Sequence, residues 1–498
     1  MERDFVRCAV ILSKKEWIFL LLEIKNLTKY YGDRKVIELK TFALYEGDKV
    51  AVVGRNGAGK TTLLKLISGE LMPDSGSINA RGGIAVIPQL DEEANGDYDQ
   101  RIAGKLGLGD GTVSGGEKVK QRIARAFSHP SEIMLADEPT SNLDITGIRC
   151  LEELLKGFGG GLIIVSHDRT LLKSVCNKVL EIERGVCRLY GCGYSEYLEQ
   201  KELERASGEE RYEQYAAEHD RLKRVAAEKM QKSSSIRRSP KRMGNSEARL
   251  HKMGGQGAKE KLDRSAKAAL TRLEQLEKVE KPWKQRDIVF DVMPGAVYSP
   301  VLVTVEDVSK SFDGKSVLSH CSFIVRNNKK TALIGDNGAG KTTLLNMILS
   351  GGEGVIKCRA LKIGYFRQDM SDLNMEKSVL ENALESSVYG QQFTRTILSR
   401  LLFSRDEIGN KAGVISGGER LKLSLAKIML NDFNLLVLDE PTNYLDIESR
   451  SALETVLRAY PGAVLFVSHD REFISNVADR IVQLKDGMAV TFEENTFA

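Results

Sequence analysis

Gly54-Arg55-Asn56-Gly57-Ala58-Gly59-Lys60-Thr61-Thr62 follows an apolar run, Val50-Ala51-Val52-Val53, and opens an apolar-periodic segment over residues 63–69. A strand that turns through glycines into a helix leaves the first helical N–H groups unpaired, and the glycines let them wrap a phosphate. A lysine there reaches the outer phosphates as a point charge, and the next hydroxyl can ligate Mg²⁺; Lys60 and Thr61 hold those places. Further on, Ile133-Met134-Leu135-Ala136 is a buried strand ending in Asp137 and Glu138. Asp137 is placed to hold Mg²⁺ through water, and Glu138 to orient or deprotonate an attacking water. The apolar run 162–165 ends at Ser166-His167-Asp168. Ligands collect at the carboxyl ends of strands in an α/β sheet, so His167 is expected in the site rather than the core.

The whole series occurs twice in one order. Gly335-Asp336-Asn337-Gly338-Ala339-Gly340-Lys341-Thr342-Thr343 is a second phosphate loop, and Asp439, Glu440 and His469 repeat the acid, acid, histidine set. Between these points lie Gln89 and Gln368, Ser114-Gly115-Gly116-Glu117 and Ser416-Gly417-Gly418-Glu419, then Asn142-Leu143-Asp144 and Asn443-Tyr444-Leu445-Asp446. The offset is 281 residues between Lys60 and Lys341 and 302 between Glu138 and Glu440, so the second copy is longer by about 20 residues. This predicts two α/β domains, 21–192 and 301–492, with residues 22–42 forming two short strands around Tyr30-Tyr31-Gly32-Asp33.

The intervening residues, 193–300, have neither nucleotide motif nor strand pattern. From Lys223 to Arg272 there are fifteen Lys/Arg against four acids, a balance of +11, while the whole chain stands at only +4. The flank 199–222 runs the other way, with four bases and eight acids. Leu262, Ala266, Ala269, Leu273 and Leu276 step by 4, 3, 4, 3, the seam of a coiled coil. Tyr197, Tyr212, Tyr215, Leu222, Val225 and Met230 offer a less regular facing stripe. Pro240 and the glycines 244, 254, 255 and 257 interrupt the pattern, which predicts an antiparallel helical hairpin with a loop at about 243–257. Limbs of forty-odd residues would reach roughly 60 Å. Clustered Lys/Arg gain from counterion release on RNA phosphates, which assigns Arg237, Arg238, Lys241, Arg242, Arg249 and Lys252 to RNA. Met243, Leu250 and Met253 are thioether and aliphatic side chains among glycines, suited to a crowded pocket.

Apolar content of 42% and charged content of 29% describe a soluble globular protein. The longest apolar run, residues 17–22, is far short of the roughly 20 residues a membrane span needs, so no membrane segment is expected. Seven cysteines without a paired framework fit a reducing cytoplasm.

These motifs resemble an ATP-binding cassette, twice over, and tandem cassettes joined by a basic hairpin resemble the ABC-F subfamily across residues 22–490. The resemblance implies two ABC-type ATPase domains that bind ATP and Mg²⁺, with Gln89 and Gln368 beside Thr61, Asp137, Thr342 and Asp439 at the metal, and Tyr31 and Phe312 stacked on adenine. It implies that each Ser-Gly-Gly-Glu signature closes over the other copy's phosphate loop, Ser416 and Gly418 over Lys60 and Ser114 and Gly116 over Lys341. That would make a monomer with intramolecular cassette pairing. Both glutamates are present, so both sites are expected to hydrolyse ATP. Members act on the 70S ribosome, contacting ribosomal RNA and peptidyl-tRNA from the tRNA exit site. Some are translation factors that relieve stalled ribosomes and others protect against antibiotics. Only 25 residues separate Gln89 from Ser114, against 48 from Gln368 to Ser416. That leaves no room for the arm that translation-factor members carry. With the tip text 242–254, this resembles the pleuromutilin, lincosamide and streptogramin A protectors. Some members also carry a long basic C-terminal tail; with the sequence ending at Ala498, that contact is expected to be absent.

Residues 1–20 precede what resembles the usual first strand, and Leu20 or Leu21 is read as a non-AUG start. Mass analysis of natively expressed protein is expected to find a start near Leu20; an intact Met1 terminus would sink this reading.

Overall fold

Runs of Val, Ile and Leu that are apolar at every position can sit only where a sheet is covered on both faces. Ile133–Asp137 and Gly161–Val165 are buried at all five positions. The computed structural model describes residues 9–10, 18–88, 98–108, 115–236, 245–279, 297–312, 315–366 and 372–492, and side chains at all of these except 9, 10, 18, 115, 245–257 and 315. The chain divides into two compact units, Met1–Tyr194 with Asp287–Ala498, and Ser195–Arg286.

Among the described residues the first unit holds sheets of ten, three and six strands, and one strand order recurs in its two halves. In the N-terminal half the parallel strands run Ile84–Ile87, Ile133–Asp137, Gly161–Val165, Lys49–Val53, Lys178–Glu183, and Val186–Tyr190 follows antiparallel and joins this sheet to Arg34–Tyr45. The C-terminal half repeats this order with Ile363–Phe366, Leu435–Asp439, Ala463–Val467, Lys330–Gly335, Arg480–Lys485 and Met488–Phe492. In both halves the strand that feeds the phosphate loop lies between the histidine strand and the penultimate strand. The loop, acid pair and histidine therefore leave the sheet side by side. The leading strands are longer than the sequence pattern suggests: Ile18–Tyr31 pairs with Arg34–Tyr45 through a two-residue turn, where Gly32 takes φ 58°. Ala9–Val10 pairs with the start of the first of them. The extra length of the second copy is also visible. Among the described residues, the first half places the helix Gln100–Lys105 before its signature helix, whereas the second folds Val379–Leu384, Gln391–Arg400 and a 3₁₀ turn at Glu407–Gly409.

The second unit is helical. Tyr194–Ser235 spans 42 residues and Asn245–Gln275 spans 31. Of the expected seam, Ala266 and Ala269 are buried and Leu262, Leu273 and Leu276 are half-buried. On the facing limb Leu222 and Ala226 are buried. Lys229 donates to Ser265 Oγ and Ser233 Oγ to Asp263, an antiparallel register that sets Ala226 level with Ala269.

Two expectations are corrected. Met230 is 48% exposed and does not belong to the stripe. Helical spacing from Leu222 and Ala226 points 229 and 233 inward instead, and the polar groups there are accepted because each finds a partner across the hairpin. The loop expected at 243–257 is helix from Asn245 onward. Each of Gly254, Gly255 and Gly257 costs about 1 kcal/mol relative to Ala in a helix, which a long helix packed on a partner outweighs. Pro240 and Gly244 lie outside the described residues.

Since alanine at 226 and 269 lets the limbs approach closely, Ala269→Leu is expected to overpack the seam by about 1–3 kcal/mol. Hydrogen exchange over residues 195–286 should then accelerate by about tenfold or more, with exchange in the first unit unchanged.

Candidate active sites

Both phosphate loops turn through a left-handed glycine against an apolar wall. Gly59 has φ 108°, and a Cβ there would fall 2.8 Å from Val36 Cγ1; Gly340 has φ 92° and would meet Leu318 Cδ2 at 2.8 Å. Only glycine fits these positions, and each caps the N-terminus of a helix, Lys60–Ser68 or Lys341–Ser350. Lys60 Nζ donates to the Gly54 and Arg55 carbonyls at 2.7 and 3.2 Å, and Lys341 Nζ to those of Gly335 and Asp336 at 2.7 and 3.0 Å. The lysines are thereby folded back over loops whose N–H groups point outward, a ready anion cradle.

Beside each cradle stand a hydroxyl and two carboxylates. Thr342 Oγ1 donates to Asp439 Oδ2 at 3.2 Å, and Thr61 bonds Asp137 likewise. Glu138 and Glu440 follow at φ 47° and 48°, a left-handed conformation that costs a non-glycine residue on the order of 1–3 kcal/mol. Burial pushes both carboxyls up to about 7, offset at Glu138 mainly by the Arg450 and Lys60 charges and at Glu440 by Lys341. His167 Nε2 is 3.3 Å from Glu138 Oε1, and His469 Nε2 is 3.3 Å from Glu440 Oε1. The backbone N–H of His167 donates to Glu138 Oε2 at 3.2 Å. Burial holds His167 well below its ordinary range and His469 down at about 4, so both rings are neutral near pH 7. Asp137 Oδ1, Glu138 Oε1, Glu440 Oε1 and both histidine Nδ1 atoms are buried without a hydrogen-bond partner. Such atoms cost about 1–3 kcal/mol each unless something meets them. The donors are hard oxygens, as Mg²⁺ requires. Among the described residues no three His, Cys, Asp or Glu side chains are grouped so as to hold a metal ion by themselves, and the set fits an ion that takes its remaining ligands from phosphate and water.

The two halves meet head to tail over these loops. Asn56 N donates to Asp446 Oδ2 at 3.1 Å and Asn56 Nδ2 to the Tyr444 carbonyl at 3.0 Å. On the other side Asn337 Nδ2 donates to the Asn142 carbonyl at 2.9 Å, and Asn337 N points at Asp144 Oδ2 at 3.4 Å. A Cβ on Gly116 would sit 2.8 Å from Asn337 Nδ2, and one on Gly418 3.6 Å from Asn56 Nδ2. Each signature glycine thus lies against the opposite half's loop. A cavity of about 1310 Å³ runs between them, lined by both loops, both glutamates and both histidines. Ion pairs join the two halves: Arg169 with Glu454, both buried, and with the half-buried Glu472, and Arg471 with Glu152 at 3.0 Å, both half-buried.

Gly54, Gly57, Thr62, Gly335, Gly338 and Thr343 lie on the loops and first helical turns described. Tyr31 and Phe312 are 54% and 51% exposed, and Tyr31 lines the cavity together with the N-terminal loop. Ser416 caps the helix Gly417–Met429, and the Glu419 carboxylate accepts from Ser416 N at 2.8 Å, so Glu419 stiffens this N-terminus rather than reaching outward. Gly115 and Glu117 open the helix Gly115–Ser128. Gln89, Ser114, Gln368, Arg237, Arg238, Lys241, Arg242 and Met243 lie outside the described residues, as do the side chains of Arg249, Leu250, Lys252 and Met253. Sequence reasoning missed Arg450, whose Nη1 donates to the His167 carbonyl at 3.0 Å. It also missed the Arg169 and Arg471 ion pairs. The repeat could have flagged the two arginines, which follow the His-Asp pair in both copies, but not their partners.

A family model described as ABC transporter matches the chain twice, at residues 38–141 and 318–443. The chain is 33% identical to the erythromycin resistance ATP-binding protein MsrA of Staphylococcus epidermidis, over 92% of this chain and 96% of that protein. It is 30% identical to the ribosome protection protein VmlR of Bacillus subtilis, over 92% and 86%. Its fold is similar to that of the archaeal ribosome recycling factor aABCE1, with a TM-score of 0.62 at 20% identity over 93% of this chain and 89% of that one.

Arg169→Ala would leave Glu454 buried beside no guanidinium, with an expected loss of about 3–5 kcal/mol. Replacing both, Arg169→Met with Glu454→Met, should recover most of it. Thermal unfolding of the two variants checks this; equal stability of single and native chains would show that the pair contributes nothing.

Proposed function

The chain belongs to the ABC-F subfamily of ATP-binding cassette ATPases, and on that premise we propose that it protects the peptidyl-transferase centre of the ribosome from antibiotics, entering by the tRNA exit site with its interdomain hairpin. ATP binding and hydrolysis come with the family. One observation supports the finer reading: two relatives with resistance or ribosome protection in their names each match 92% of this chain. That is too much to leave out the hairpin unit, Ser195–Arg286, where the positive charge is concentrated. No described helix is long and apolar enough to cross a membrane.

In this reading the loop N–H groups and Lys60 or Lys341 bind the ATP phosphates, with Tyr31 or Phe312 against the adenine. Thr61 with Asp137, and Thr342 with Asp439, hold Mg²⁺, joined by Gln89 and Gln368. When bound there, Mg²⁺ would supply charge neutralisation at the outer phosphates. Glu138 and Glu440 orient the attacking water and accept its proton. A carboxyl balanced near neutrality suits that exchange, and the neutral His167 and His469 rings fix its direction. Gly116 and Gly418 admit the opposite loop, so both nucleotides are enclosed only when the halves meet. Arg237, Arg238, Lys241, Arg242, Arg249 and Lys252 bind ribosomal RNA phosphates, and Met243, Leu250 and Met253 form the part that approaches the drug site.

Glu138→Gln with Glu440→Gln is expected to keep ATP binding and slow turnover by about 10²–10⁴-fold, leaving the chain co-sedimenting with ribosomes in ATP. Loss of ATP binding, or unchanged turnover, would remove the glutamates from this role.

Expression in a sensitive strain should raise resistance to drugs of the peptidyl-transferase centre. Leu250→Ala with Met253→Ala should abolish that resistance and preserve ATPase activity and ribosome binding. Full resistance in the double variant would sink the assignment of the tip. An intact chain that protects against no such drug would make it a translation factor relieving stalled ribosomes instead.

A further inference from the structure

We infer that Arg450, supplied by the C-terminal half, is a positioning residue for the N-terminal ATP site alone, so that the two sites of this chain are built to turn over differently. The inference rests on the hydrolytic reading of Glu138 and Glu440 given above. Arg450 lies in the first turn of the helix Ile447–Ala459, behind the cap residue Asp446. Its side chain is 13% exposed and all its described bonds are made inward. Nε donates to the Leu445 carbonyl at 3.0 Å and Nη1 to Asp470 Oδ2 at 2.9 Å, both within its own half. Nη1 also crosses the interface to the His167 carbonyl at 3.0 Å. The same His167 donates its backbone N–H to Glu138. A fixed guanidinium therefore grips the residue that aims the N-terminal glutamate.

The pseudo-symmetry of the chain supplies the comparison. The offset of 302 residues that carries Glu138 to Glu440 and Asp144 to Asp446 carries Ile148 to Arg450. Ile148 is 3% exposed and has no donor to offer the His469 carbonyl. Elsewhere the two sites match closely. Both His–Glu separations are 3.3 Å, both cap aspartates face the opposite asparagine, and both signature glycines abut the opposite loop. The contact made by Arg450 exists only while the halves are together. Opening breaks it and leaves Arg450 with Asp470. The loop of His167 is thus tied to closure by a charge-assisted bond, while that of His469 receives no such bond from Ile148.

The test uses the full chain, a photoreactive azido-ATP with Mg²⁺, and vanadate to retain nucleotide after hydrolysis. Cleavage within the hairpin then separates the halves, and the label on each reports its own site. The native chain should retain label on both. Arg450→Ile should lower vanadate-dependent label on the N-terminal half by about tenfold, a cost in keeping with a misplaced reacting group. Label on the C-terminal half, and vanadate-free labelling of both halves, should be unchanged. Arg450→Lys, which keeps a charged donor, should recover part of the loss. If Arg450→Ile abolishes vanadate-free labelling altogether, Arg450→Gln replaces it as the uncharged variant. An equal fall in both halves, or none in the N-terminal half, would overturn the inference. A native chain that retains label on neither half would remove the hydrolytic reading and the inference with it.

Discussion

Each phosphate loop in this chain meets the opposite half, 388–390 residues away at Asn56 and 193–195 at Asn337. Asn56 is held by Asp446 and Tyr444, and Asn337 by Asn142 and Asp144. Each loop faces the N-terminal turn of the opposite signature helix. The glycine at 116 follows from this contact: a Cβ there would fall 2.8 Å from Asn337 Nδ2 of the opposite loop. So do the ion pairs of Arg169 and Arg471, which join the two halves across a contact that the cradles alone, both electropositive, would resist.

The same burial that closes the sites sets their acid–base character. Glu138 and Glu440 lie at the carboxyl ends of strands covered on both faces, and their desolvation raises both carboxyls to about 7. The buried histidines are held neutral for the same reason, so a single environment shifts both members of each Glu–His pair toward the uncharged form. The left-handed backbone at both glutamates shows how much local cost the fold tolerates there.

The hairpin obeys different physics. Alanines 226, 266 and 269 are buried at its seam, where small side chains allow close approach and cross-limb bonds such as Lys229 to Ser265 and Ser233 to Asp263. Two packed helices form a stiff carrier for a charge excess that would make a flexible tether expand.

What was legible from the sequence was what is local or repeated. A strand, a glycine turn and a helix start are contiguous, so the loops at Lys60 and Lys341 could be read within nine residues. The acids and histidines were found because both copies show them in one order. The heptad at 262–276 revealed its seam because a coiled coil repeats along one element. Glycine is only a weak helix breaker, so 254–257 misled, and Met230 was assigned by type where the period demanded 229 and 233. The tertiary structure alone decided which side chains cross the interface. That Arg450 reaches the His167 carbonyl, and that Glu454 receives Arg169, depends on bringing together residues 283 and 285 positions apart, and no periodicity connects such pairs. Two cassettes with one order of motifs became chemically unlike at Ile148 and Arg450 because contact, not order along the chain, determines what a side chain can touch.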